Sequence, residues 1–188
     1  FDAGTKKLMK CSSIKAPVLN VCEYEKKLLV SCEFGGLYLF DTKTKEKKQL
    51  NISGANEKTV FRTIYYSKNK DVYLGSDGQG LYKLSKNLLL NRHFVNEPGN
   101  PLSLSNNTIR SITEDHDGNI IVATFDGISF YSPAADYFVR VKSQSGEDDR
   151  FSHFSFHSVY IDRYGTLWGG TWAGGVSYGN PDWEGNSF

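Results

Sequence analysis

Four stretches of this chain repeat one plan. Val18–Phe40, Phe61–Leu84, Ile109–Tyr131 and Phe156–Tyr178 each hold short strand-like segments that close on a glycine. The shared glycines are Gly36, Gly80, Gly127 and Gly175, spaced 44, 47 and 48 residues apart. Self-similarity at that period restricts the fold to stacked supersecondary units that cannot bury their apolar faces alone. It also supplies a structural reason for most of the recurring Gly, Asp and Trp. Their value as catalytic candidates falls accordingly.

The third copy shows the unit best. Ile109, Ser111 and Thr113 alternate with Arg110, Ile112 and Glu114, a period of two that predicts a strand with Ile112 in the core. Asp115-His116-Asp117-Gly118-Asn119 then turns the chain, because Gly and Asn accept positive φ. The β-branched run Ile120–Thr124 predicts a second strand, and Ile128–Tyr131 a third. The fourth copy predicts strands over Phe156–Ile161, Leu167–Thr171 and Val176–Tyr178. The second predicts Phe61–Tyr66, Val72–Ser76 and Leu81–Leu84, and the first Val18–Glu23, Leu28–Cys32 and Leu37–Phe40. A more charged fourth strand follows the first three copies, within Thr42–Leu50, Leu89–Val95 and Tyr137–Val141, as suits an exposed sheet edge. Four antiparallel strands per 40–50 residues describe a β-propeller blade, so the expected class is all-β.

The expected organisation is one propeller segment over residues 1–188. A leading remnant at 1–16 is followed by blades at 17–58, 59–106, 107–153 and 154–188. Phe1–Met9 parallels Phe40–Lys48, so the sequence opens at the end of a third strand. Asn180–Asn186 is too polar and glycine-rich for a fourth strand. The leading strand can in principle complete the last blade and close a ring of four. Usual blade counts favour an arc of a larger, seven-bladed propeller instead. Phe1 in place of an initiator Met predicts a processed product or a piece.

Composition excludes some functions. The 22 basic and 21 acidic residues leave a formal charge of +1, and the densest basic stretch, Lys43–Lys48, is broken by Glu46. No nucleic-acid footprint is expected from so even a balance. No apolar run reaches the length of a membrane span, and no signal peptide opens the sequence. Cys11, Cys22 and Cys32 are an odd count for a disulfide framework. Cys22 and Cys32 fall on neighbouring strands but not opposite each other, which favours buried thiols over a bridge. No Cys/His spacing suggests zinc.

The most specific signal is the string Ile109-Arg110-Ser111-Ile112-Thr113-Glu114-Asp115-His116-Asp117-Gly118-Asn119-Ile120-Ile121-Val122-Ala123-Thr124-Phe125-Asp126-Gly127-Ile128. It recurs as Val159-Tyr160-Ile161-Asp162-Arg163-Tyr164-Gly165-Thr166-Leu167-Trp168-Gly169-Gly170-Thr171. This resembles the two-component regulator propeller repeat. The linker Asn96–Asn107 also looks like that family's inter-blade segment. The first two copies depart from the pattern by lacking the Asp-x-x-Gly turn and the Trp. The resemblance implies the periplasmic sensor region of a Bacteroides-type hybrid histidine kinase, responding to glycan breakdown products. Its parent would carry a membrane helix, a kinase, a receiver and a DNA-binding region.

Candidate sites divide by chemistry. Asp115, Asp117 and Asn119 have calcium-like spacing, but Gly118 comes too early, and a hairpin turn is the better reading. His153 and His157 lack a third metal ligand. No nucleophile triad or carboxylate pair stands apart from the turns, so no catalysis and no cofactor are expected in this segment. Ligand contact is assigned to the first strands, which line a propeller's channel. The residue after the first apolar position is Leu19, Arg62, Arg110 or His157 in the four copies. The residue after the Thr-like position is Glu33, Asp77, Phe125 or Trp172. Arg62 and Arg110 suit carboxylates or sulfates of acidic sugars, and Trp172 suits a sugar face. The candidate ligand residues are therefore Arg62, Arg110, His157 and Trp172, against the alternative that they only cap strands.

Three function classes follow. One is a sensor module with an oligosaccharide ligand. Another is a scaffold for the rest of the ectodomain or for homodimerisation. The third, and least favoured, is a propeller carbohydrate-active enzyme. No direct membrane contact is expected for the segment itself.

Overall fold

In the computed structural model, described over residues 14–34, 36–141 and 155–180, every regular element is a β-strand. The first sheet holds β1 (Val18–Tyr24), β2 (Lys27–Cys32), β3 (Gly36–Phe40) and β4 (Lys47–Leu50). The second holds β5 (Phe61–Tyr66), β6 (Val72–Ser76), β7 (Leu81–Leu84) and β8 (Leu90–Phe94). The third holds β9 (Ile109–Glu114), β10 (Ile120–Thr124), β11 (Ile128–Ser132) and β12 (Tyr137–Arg140). The fourth holds β13 (Phe156–Ile161), β14 (Leu167–Thr171) and β15 (Gly175–Gly179). All pairings are antiparallel and join consecutive strands, so three sheets have four strands and the last, among the described residues, has three.

The shared glycines share a conformation. Gly36, Gly80, Gly127 and Gly175 all have φ between +78° and +88°. That is the left-handed region, where a Cβ is penalised, and it lets the chain reverse between the second and third strands. The first turns use a different device. Asp115 Oδ1 accepts from the backbone N–H of Asp117 (2.9 Å) and Asn119 (2.8 Å), so this acidic string is a turn built on a side-chain acceptor. Asp162 repeats it with Tyr164 and Thr166, and its second oxygen accepts the indole N–H of Trp168 at 2.9 Å. Those three donors hold the Asp162 carboxyl below its ordinary pKa, the Trp168 bond contributing most.

The cores lie between sheets rather than within them. Leu29 and Leu37 of the first sheet meet Phe61, Ile64, Val72 and Leu74 of the second. Tyr73 and Leu81 of the second meet Ile109, Ile112, Ile120 and Val122 of the third. Ile121, Ile128 and Phe130 of the third meet Phe156, Val159 and Leu167 of the fourth. The central strands β6 and β10 are buried along their whole length. They read as continuous apolar runs because both of their faces are covered. β1 packs on β5, β5 on β9 and β9 on β13, which makes these four the innermost strands of a row of blades.

One expectation needs correction. A strict period of two would put Ile109 and Ile112 on opposite faces of β9, yet both are buried in the same inter-sheet core. The register shows why: Ser111 pairs with Ala123 and Ile109 with Thr124, leaving Arg110 as an extra residue in a β-bulge. Cys22 and Cys32 are free thiols, opposite Leu29 and Val18 respectively. Cys11, His153, the Phe1–Met9 parallel and most of the polar stretch after Asn180 lie outside the described residues.

Candidate functional site

The same bulge recurs in every innermost strand. Leu19, Arg62, Arg110 and His157 are each skipped by the register, while their neighbours pair normally. A bulge redirects its residue away from the pleat, so four side chains leave the sheet plane at matching positions in successive blades. These are the four positions singled out from the repeat. Glu33, Asp77, Phe125 and Trp172 follow the second strands and sit at the same end of each blade. All four are exposed.

The pairs differ in chemistry. In the second blade, Arg62 Nη2 donates to Asp77 Oδ2 at 2.5 Å, a half-exposed ion pair. Arg62 therefore has its countercharge inside the protein. Asp77 also bridges to Thr108, just ahead of β9, so this pair lies beside the start of the third blade. In the fourth blade, the His157 ring lies over Trp172 with centroids 5.1 Å apart and planes 30° from parallel. Trp172 is 67% exposed, a free aromatic face.

The third blade breaks the pattern. Its residue across from Arg110 is Phe125, 56% exposed, which offers no charge. Among the described residues, the Arg110 guanidinium has no hydrogen bond and no ion pair; its Nε is buried without a partner, as is the Nε of Arg62. A buried N–H lacking an acceptor is costly, and a ligand oxygen would offset that cost. The rim thus has one neutralised arginine, one unneutralised arginine and two aromatic rings within three successive blades. Phe125 was legible as a rim position from the repeat, but its pairing with an uncompensated arginine was not. Among the described residues, no cluster of three His, Cys, Asp or Glu side chains is placed to hold a metal. No helix is long and apolar enough to cross a membrane.

A second surface is prominent. On the outer face of the fourth sheet, Tyr160 pairs with Trp168 and Trp168 with Tyr178, forming an aromatic row across three strands. Trp168 and Tyr178 stack at 5.0 Å. Tyr160, Val176 and Tyr178 are each 63–70% exposed. The residues at the corresponding positions of the third sheet, Ile121, Ile128 and Phe130, are buried against the next blade.

Comparison with known proteins agrees with this architecture. Residues 103–126, spanning the end of the inter-blade linker, β9, its turn and β10, match the family described as two component regulator propeller. No curated protein matches the chain by sequence. Among solved structures, the extracellular domain of the one component system BT4673 from B. thetaiotaomicron superposes with a TM-score of 0.71 at 14% identity. That match covers 90% of this chain and 22% of the other. The extracellular domain of the hybrid two component system BT3049 from the same organism gives 0.57 at 19% identity, covering 94% and 30%. The WD40 propeller domain of Doa1 gives 0.67 at 14% identity, covering 88% and 51%. At these identities the structural likeness establishes the propeller fold. The chain spans less than a third of the two bacterial extracellular domains.

Proposed function

We propose that this chain, whose third blade carries the two component regulator propeller repeat, is an arc of the extracytoplasmic ligand-sensing propeller of a hybrid sensor histidine kinase. The observation that carries the reading is the repeat at residues 103–126. It sits in a row of blades like those in the extracellular domains of two bacterial signalling systems. In this reading the segment performs no catalysis. It binds a glycan-derived oligosaccharide along the rim formed by the bulged residues and passes the change through blade packing toward a kinase. The same likeness supports a location outside the cytoplasm, and in this reading the segment lies in the periplasm.

Structural features of the rim support ligand contact there. The bulged positions vary between Leu, Arg and His while the residues around them keep one packing plan. Variation on a constant frame is what a recognition surface requires, because affinity and specificity come from side chains and not from the fold. Titrating the ectodomain with a panel of neutral and acidic oligosaccharides, beside measurement of kinase phosphorylation, tests the reading. Binding of at least one member with a matching change in phosphorylation supports it. Intact signalling without any carbohydrate binding to the ectodomain overturns it.

A scaffold reading is favoured by one observation, the exposed row Tyr160, Trp168, Val176 and Tyr178. A contiguous apolar sheet face of this kind marks a contact surface. Either a further blade or a second protomer suits it, and the mass of the ectodomain in solution separates the two.

A further inference from the structure

Building on the sensing role above, we infer that the third blade selects an anionic ligand: Arg110 takes a carboxylate or sulfate group, and Phe125 and Trp172 take the adjoining ring. Three observations converge on this. The Arg110 guanidinium is half-buried and has no hydrogen-bond or ionic partner among the described residues; its Nε is shielded from solvent and unpartnered, as the Arg62 Nε also is, so the two arginines differ in their countercharge. Its counterpart Arg62 has Asp77 at 2.5 Å, so the rim carries one compensated and one uncompensated arginine side by side. The rim positions that follow the second strands of the third and fourth blades are aromatic and exposed, Phe125 at 56% and Trp172 at 67%.

The chemistry follows from these parts. A guanidinium presents donors in a planar fork that matches two oxygens of one acidic group. The buried Nε favours an occupant that brings an acceptor over a neutral hydroxyl-bearing one, since only a strong acceptor offsets desolvation of that N–H. The aromatic rings add apolar area against the less polar face of a sugar ring without supplying a competing countercharge. Asp77 limits the site from the second-blade side. It neutralises Arg62 and repels a second acidic group, which sets the ligand's anion over Arg110 and not over Arg62.

The test is calorimetric titration of the intact ectodomain with three disaccharides of equal size: uronate-bearing, sulfated and neutral. The proposal expects one or both acidic sugars to bind more tightly than the neutral one. It expects R110Q to weaken acidic binding by about 10- to 100-fold, the range for a lost charge-assisted bond. R110K should retain part of it, because the charge stays and the fork goes. R92Q, which removes an arginine on β8 that pairs with Asp136 away from the rim, should leave binding unchanged. The uronate and sulfate arms tell the two acid groups apart. Equal binding of neutral and acidic sugars, or acidic binding unchanged in R110Q, overturns the anion assignment and leaves the sensing role standing. Kinase output that responds to a ligand while no carbohydrate binds the ectodomain overturns both.

Discussion

Replacing the repeat glycine by alanine should cost different amounts in different blades, and the structure says which. Gly80 has φ +83°, and a Cβ there would lie 2.1 Å from the backbone oxygen of Phe94 on β8. A backbone carbonyl in a paired strand cannot swing aside as a side-chain tip can. The turn must move instead, straining the bond from Gly80 N–H to the Asn107 carbonyl (2.8 Å). It also strains the bond from the buried Ser76 hydroxyl to the Gly80 carbonyl (2.7 Å). Left-handed strain of about 1–2 kcal/mol plus one or two weakened bonds at about 1 kcal/mol each gives a loss of about 3 kcal/mol. Gly127 occupies the same repeat position with φ +88°, but its nearest atom, the Val141 carbonyl oxygen, is 3.7 Å from the added Cβ. G127A therefore carries the conformational term alone, about 1–2 kcal/mol. At about 2–4 °C per kcal/mol for a chain of this size, G80A should melt about 6–12 °C below wild type and G127A about 2–8 °C below. Urea and thermal unfolding of the purified proteins, followed by circular dichroism, measure both. G80A no less stable than G127A would refute the reasoning.

Other consequences are equally open to measurement. Lys83 is nearly buried between the Tyr73 and Tyr131 rings, with its ammonium 3.1 Å from Asp71. D71N should therefore destabilise by about 2 kcal/mol by stranding that charge, whereas K83M should stay within about 1 kcal/mol of wild type. Chemical denaturation that ranks the two in the opposite order would contradict this. Burial, with the Glu114 carboxylate next in weight, pushes the Tyr65 hydroxyl up to about 12. The folded state keeps that proton while the unfolded chain loses it near 10, so Tyr65 favours folding below pH 10 and that contribution is lost as pH rises toward 12. Absorbance titration near 295 nm should find this tyrosine ionising late, and Y65F should remove it. Because Trp168 donates to Asp162 at 2.9 Å, D162A should shift tryptophan emission to the red. In wild type the same shift should appear only below the ordinary carboxylate range, since the Asp162 pKa is depressed.

Much of the fold was readable in the residues. The strands at Phe61–Tyr66, Val72–Ser76, Leu81–Leu84, Ile120–Thr124, Phe156–Ile161 and Leu167–Thr171 coincide with those expected, because β-branched runs and glycine turns are local signals. The bulge was missed although its trace is present four times. Val18/Val21, Phe61/Ile64, Ile109/Ile112 and Phe156/Val159 are apolar pairs three apart, a spacing that neither strand face explains without an extra residue between them. The rim positions could be listed from the repeat, but their pairing could not. Arg62 and Arg110 look alike in sequence. Only the residue fifteen positions on, Asp77 in one case and Phe125 in the other, separates an arginine with an ion-pair partner from one without, and that depends on side-chain reach across the strand pair. The exposed face of the fourth sheet was equally hidden, since nothing local in Tyr160, Trp168 and Tyr178 tells an open sheet face from a covered one; their register puts them in one exposed row.

The central claim is that these blades sense a ligand for a kinase. The direct measurement is autophosphorylation of the intact protein in membrane vesicles, with oligosaccharides added on the ectodomain side, for wild type and the rim variant W172A/R110Q. The account predicts a dose-dependent change for wild type that moves to at least about tenfold higher ligand in the variant, as loss of one charge-assisted contact requires. No change in wild-type phosphorylation with any oligosaccharide would contradict the sensing claim, and a dose response identical in the two proteins would contradict its placement at the rim.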